Sequence, residues 1–198
     1  MSNLSTTSDN ILACARSLIV ASGYNGFSYA DIADVIGIRK ASIHHHFPSK
    51  VDLVRTLVAR YRQEAEAGMA NLELQVSDPL EQLRLYTGYW EACIADASAP
   101  ICVCALLASE LPVLPEEVAL EVRAHFRTLS AWLRSVLERG ARDGRLQLTS
   151  PPRAEAEAFM ATVHGAMLSA RAYGDPQIFG LVTGPLLERV APRPRMLS

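Results

Sequence analysis

Apolar positions recur every three or four residues along nearly the whole chain, and the apolar–polar alternation of half-buried strands is absent. The pattern predicts an all-α fold. Ile11, Leu12, Ala15, Leu18 and Ile19 form the stripe of a first short helix, with Ser8 placed to cap its start and Gly23 just past its end. Ser28, with Asp31 three residues on, marks a capped second helix running to about Ile36, and Gly37 breaks it. A third short helix is expected over about Lys40 to Phe47, stopped by Pro48, and Pro48-Ser49-Lys50 opens a long fourth helix reaching toward Met69 or beyond. Further helices are predicted near 78–97, 101–111, 115–142, 152–173 and 175–190, punctuated by Pro79, Pro100, Pro112, Pro115, Pro151 and Pro176, with a frayed tail APRPRMLS after them.

With 198 residues, of which 49% are apolar and 20% charged, the chain has enough core-forming residues for one small and one larger helical domain. The net charge of -2 carries no overall nucleic-acid signature, but its distribution does more. Residues 1–50 hold Arg16, Arg39, Lys40 and Lys50 against Asp9, Asp31 and Asp34, and Lys40 and Lys50 are the only lysines in the chain. Cys14, Cys93, Cys102 and Cys104 have neither zinc-site spacing nor the density of a disulfide scaffold, which suits a reducing cytoplasm. The polar N-terminus has no signal-peptide pattern, and no apolar run is long enough for a membrane span.

The segment FSYADIADVIGIRKASIHHHFPSK, residues 27–50, carries the chemistry. A helix-turn-helix needs a small residue where its helices meet, a turn residue tolerant of positive φ, and an apolar anchor on the second helix. Ala33, Gly37 and Ile43 stand at those places, with Ile32, Ile36 and Ile38 completing a small core. The exposed face of the second helix then presents Arg39, Lys40, Ser42, His44 and His45, with His46 beside them. These side chains suit phosphates and base edges. Ser28 and Tyr29 at the start of the preceding helix, and Lys50 beside the free amides opening the fourth helix, join the DNA-contacting set. The plainer alternative is a helical hairpin with a solvated basic face.

Over residues 9–65 the sequence closely resembles the TetR family of bacterial repressors, matching its characteristic run at Ser28, Ile32, Ala33, Gly37, Ile38, His44, His46, Phe47 and Lys50. His44 replaces the family's usual tyrosine, leaving an imidazole N–H to make the phosphate contact. The resemblance implies a three-helix DNA-binding domain over residues 1–50 and a helical ligand-binding and dimerisation domain over residues 51–198. It further implies pairing of two copies through the last two long helices, about 152–173 and 175–190. There Phe159, Met160, Val163, Met167, Leu168, Ile178, Phe179, Leu181, Val182, Leu186 and Leu187 recur at helical spacing, as an interchain seam or as intrachain core. The partners expected are double-stranded operator DNA, a small-molecule effector and a second copy of the chain. No cofactor is expected.

For the effector, Tyr86, Tyr89, Trp90, Cys93, Cys102, Leu106, Phe126, Met160, His164, Met167 and Arg171 are the candidate lining residues, and the seven-residue spacing of His164 and Arg171 places them on one helix face. More weakly, Cys102 resembles the cysteine of a subset of TetR-like repressors that respond to electrophiles or oxidants, although Ile101 stands where that subset has glycine. Cys102 and Cys104 read equally as small apolar fillers. An enzyme is disfavoured: three consecutive histidines on a helix point in three directions and cannot converge on one metal, and no nucleotide-cradling loop or nucleophile elbow occurs. A transcriptional activator, an effector-free DNA-binding protein and a helical protein-binding module remain alternatives.

Overall fold

The computed structural model describes residues 6–97 and 101–192, so the predicted stop at Pro100 and residues 193–198 of the C-terminal tail lie outside the described residues. The described residues form helices α1 (Thr7–Ser22), α2 (Tyr29–Ile36), α3 (Lys40–His46), α4 (Lys50–Gln75), α5 (Pro79–Ala95), α6 (Val103–Ser109), α7 (Glu116–Arg142), α8 (Pro152–Tyr173) and α9 (Gln177–Val190), with a short 3-10 turn at Leu111–Val113. The all-α expectation holds.

One cap moves. Thr6, not Ser8, starts α1: its hydroxyl accepts the Asp9 N–H at 3.2 Å, and Asp9 accepts the Thr6 N–H at 3.1 Å. Both residues are capping types, but only Thr6 has a carboxylate three residues on to complete the reciprocal pair. The Thr6 hydroxyl and then the Arg60 guanidinium, 2.7 Å away, hold the Asp9 carboxyl down at about 2.

The backbone gathers into two units, one formed by the chain up to Glu64 with Val103–Phe126, the other by Ala65–Cys102 with the chain from Arg127 onward. The division differs from the expected boundary at residue 50 because two further pieces belong with the N-terminal helices. The first half of α4 contributes Leu53, Val54, Leu57 and Val58 to buried positions, and α6 packs on α1. The Glu110 carboxylate, just after α6, accepts the Tyr24 backbone N–H at 3.0 and 3.2 Å, a contact across 86 residues.

In the first unit, α1, α2 and α3 pack on one another around Ile11, Ala15, Ile19, Ile32 and Ile43, all buried. Gly37 ends α2 in the left-handed region, with φ 70° and ψ 35°, and its N–H bonds the Ala33 carbonyl at 3.0 Å. A Cβ there would meet no atom within 4 Å, so substitution costs backbone energy alone. Gly37→Ala is therefore expected to cost about 1 kcal/mol and Gly37→Asn distinctly less, read by urea unfolding. Equal losses from both would show that something other than the backbone angle sets the cost.

In the second unit, α8 packs along α9, and α5 also packs on α9. Its interior holds Leu83, Leu133, Leu137, Phe159, Val163, Met167 and Phe179. Glu155 is buried at the first turn of α8; burial alone would raise its pKa, but the Thr149 hydroxyl at 2.7 Å, the Thr149 N–H at 3.1 Å and Arg189 outweigh that and hold it below the usual range.

Candidate nucleic-acid interface and ligand core

The Ser28 side chain and backbone both donate to Asp31, at 2.8 and 2.7 Å, and the Ser28 hydroxyl accepts the Ala30 N–H at 3.2 Å. This closes the capping box predicted for α2 and fixes where that helix begins. At the other end of the motif the Tyr29 hydroxyl donates to the Phe47 carbonyl at 2.9 Å, tying the first residue of α2 to the residue that ends α3. Burial, with the nearby Asp52 and Tyr24, pushes the Tyr29 phenol up to about 12, so it remains a donor at neutral pH. Ile43 anchors the inner side of α3 with no exposure to solvent.

Arg39, Lys40, Ser42, His44, His45 and His46 are all exposed on the outer side. The structure thus brings the expected cationic and hydrogen-bonding groups together on one short helix, anchored by Ile43 and tied at its C-terminal end by Tyr29. Among the other DNA-contacting candidates, Ser28 is exposed but its hydroxyl serves the cap, and Tyr29 is half-buried with its hydroxyl on Phe47.

Lys50 departs from expectation. Its ammonium donates to the Phe27 carbonyl and lies 4.1 Å from the Phe27 ring centroid and 4.9 Å from that of Tyr24. Burial lowers its pKa, partly countered by Asp31 and Glu110. Lys50 is half-buried, and the Phe27 carbonyl takes one of the three N–H donors of its ammonium. Phe27 lies 23 residues upstream, so nothing in the local run 48–50 could show this.

Two family models match the chain. Residues 11–57 match "Bacterial regulatory proteins, tetR family", and residues 79–183 match "Tetracyclin repressor-like, C-terminal domain". The chain belongs to the TetR family. It is similar to a solved TetR-family transcriptional regulator from Agrobacterium tumefaciens, at 71% identity and TM-score 0.91 over 93% of this chain and 97% of that one. A TetR regulator from Legionella pneumophila is 28% identical with TM-score 0.86, covering 95% of this chain and 99% of that one. The HTH-type transcriptional regulator CymR of Pseudomonas putida is 32% identical over 81 residues, a match spanning 40% of each chain. The protein is accordingly a DNA-binding transcriptional regulator with a TetR-type ligand-binding domain, and its described residues include no helix long and apolar enough to cross a membrane.

The structure divides the ligand candidates of this TetR-family chain. Tyr86, Trp90, Cys93, Cys102, Met160, His164, Met167 and Arg171 fall in the second unit, whereas Leu106 and Phe126 fall in the first. Within the second unit Trp90, Cys93, Cys102, Met160, His164 and Met167 are buried, but Arg171 is exposed on the last turn of α8 and Tyr89 is exposed on α5. Seven residues advance a helix by a little less than two full turns, so His164 and Arg171 share a side. Near its end α8 no longer has that side covered.

Sequence reasoning missed Trp132. This side chain is buried on α7, its ring centroid is 5.5 Å from that of Tyr86, and its Nε1–H has no hydrogen-bond partner among the described residues. Tyr86 in turn lies 6.5 Å from Phe159, and burial raises its phenol pKa well above the ordinary value. The available signal was that Trp132 is one of two tryptophans in the chain, placed on a strongly amphipathic helix.

Proposed function

We propose that this TetR-family regulator is a cytoplasmic homodimeric repressor that holds a palindromic operator through α3 and releases it when a small molecule occupies the second unit. The exposed face of α3, with Arg39, Lys40, Ser42, His44 and His45 on a helix fastened by Ile43 and the Tyr29–Phe47 bond, carries the reading. Such a helix presents hydrogen-bonding side chains to the major groove at no ordering cost beyond their own rotamers. A single unit makes few phosphate contacts; two held together gain the effective concentration that makes binding tight. In reporter assays, output that rises on deletion of the gene identifies repression, and output that falls identifies activation.

Lys40 and Lys50 separate the roles. Lys40→Ala is expected to weaken duplex binding and to flatten the log K against log salt plot by about 0.9 for each lost phosphate contact. Lys50→Ala should instead lower unfolding stability by about 1 kcal/mol or more, through the lost carbonyl bond and ring contacts, with the salt slope unchanged. A flattened slope in Lys50→Ala and an unchanged one in Lys40→Ala would reverse these assignments.

For the effector, the unpartnered Trp132 Nε1–H supports a ligand with a hydrogen-bond acceptor beside aromatic surface. A buried donor left unpaired costs about 1–3 kcal/mol, which a bound acceptor would recover. Tyr86, Trp90, Phe159 and Met160 supply apolar walls of the kind small-molecule sites use. Noncovalent capture is favoured over attack on a thiol, because Cys93, Cys102 and Cys104 are all buried and reactive cysteines need access to solvent. Binding need only favour the DNA-free state over the DNA-bound one for release to follow.

A further inference from the structure

His44 lies in the last turns of the seven-residue α3, with its ring exposed. Its Nδ1 is 3.3 Å from the Pro48 carbonyl oxygen, and its ring centroid is 4.7 Å from that of Tyr29, tilted by 61°. A carbonyl oxygen only accepts, so Nδ1 carries the hydrogen. In the neutral imidazole Nε2 is then an acceptor with no hydrogen to give. Phosphate oxygens at neutral pH are acceptors as well. A neutral His44 in this arrangement therefore sets a lone pair against a phosphate, whereas the imidazolium has an N–H on both nitrogens and keeps the Pro48 bond.

We propose that His44 contacts a DNA phosphate through Nε2 only when the ring carries a hydrogen on both nitrogens, so that affinity for DNA rises as the solution becomes more acidic. The proposal rests on the reading of α3 as the DNA-contacting helix. Phosphate is favoured over a base edge by position: the first residues of a recognition helix reach the bases, and His44 stands in the second half of α3, near the turn into α4. The imidazole N–H expected from the sequence is thus already committed to Pro48 when the ring is neutral.

Several charged and titratable groups surround the ring. Across from it on α2, Tyr29 is held protonated by its raised pKa and does not titrate in the same range. On α3 itself Lys40 stands one turn earlier and His45 and His46 follow directly. On the first turn of α4, Asp52 acts on Tyr29 and bonds Ser49, and the Lys50 ammonium is engaged by Phe27. The carboxylates capping α1 and α2 stay ionised, Asp9 at about 2 and Asp31 below its ordinary value through its bonds to Ser28, so these helix ends persist as the solution is acidified. DNA binds the protonated form more tightly, so binding takes up a proton. Affinity therefore climbs as pH drops and levels off once the ring is charged.

The test measures binding of the full-length protein to a random-sequence duplex of roughly 30 base pairs at low salt, where phosphate contacts dominate. The pH runs from about 8 to about 5.5, which brackets the usual histidine range. Wild type is expected to tighten by about tenfold for each engaged His44, with a salt slope steeper by about 0.9 per contact at the acidic end. His44→Tyr, whose hydroxyl donates at every pH in the range, should lose most of the pH dependence and bind more tightly than wild type at the basic end. His44→Phe should be flat and weak. Nitrogen-15 NMR of the free protein should find the neutral ring protonated on Nδ1.

A wild-type pH profile retained in both His44→Tyr and His44→Phe overturns the proposal, and so does a neutral ring protonated on Nε2. Absence of duplex binding at every pH, with Lys40→Ala indistinguishable from wild type, overturns the DNA-contacting role of α3 and this proposal with it. The two failures are told apart by whether wild type binds DNA at all.

Discussion

Leu181→Glu is expected to leave the chain folded but monomeric, and to weaken operator binding by about a hundredfold or more, the scale on which a second linked contact contributes through effective concentration. The expectation comes from what α8 and α9 leave uncovered. Phe159, Met160, Val163, Met167, Phe179 and Leu186 are buried within one chain and so are intrachain core. Leu181 and Leu168 are 71% and 48% exposed, large apolar side chains with no role inside the protomer. A carboxylate at Leu181 costs the monomer little, yet in a seam between copies it would be a desolvated, unpaired charge facing its own symmetry mate. Sedimentation or light scattering reads the oligomeric state, and titration against an operator duplex reads the affinity. A variant that stays dimeric and binds normally would move the seam away from this part of α9.

Ile43→Ala should have the larger effect on stability. Ile43 is wholly buried on α3, which packs against α1 and α2. Truncating a buried isoleucine to alanine costs about 2–5 kcal/mol, from lost transfer energy and the cavity left behind. A helix of seven residues has almost no stability of its own, so α3 should fray while α8 and α9 keep their structure. Hydrogen exchange would show amides of residues 40–46 losing protection before those of residues 159–170, with DNA binding lost alongside. Uniform loss of protection along the chain would mean that the two units unfold as one.

The parts of the fold that were legible in advance are those set by neighbours in sequence. Ser28 with Asp31, Gly37 ending α2 and Pro48 ending α3 act over three or four residues, and each appears in the structure as read. At the start of α1 Ser8 stands nearer the apolar stripe, but Thr6 has Asp9 three residues on to complete the reciprocal pair. The candidate DNA face was legible because helical periodicity, once Ile43 is placed inward, leaves Arg39, Lys40, Ser42, His44 and His45 outside. The ligand residues were less so. Periodicity marks an apolar side without saying which unit a residue belongs to: Leu106 and Phe126 fall in the first unit, and Arg171 is exposed.

By itself the sequence determined the helices, their caps and breaks, the helix-turn-helix and the TetR resemblance, because hydrogen bonding within a helix and the side it buries are written over spans of a few residues. Only the tertiary structure decided that the Lys50 ammonium meets the Phe27 carbonyl, that Glu110 holds the turn at Tyr24, and that His44 Nδ1 lies beside the Pro48 carbonyl. It also placed Trp132 beside Tyr86 with its donor unmet. A polar atom is committed by whichever partner the folded chain carries to within about 3 Å, and that partner is set by packing across distances in sequence that no local pattern encodes.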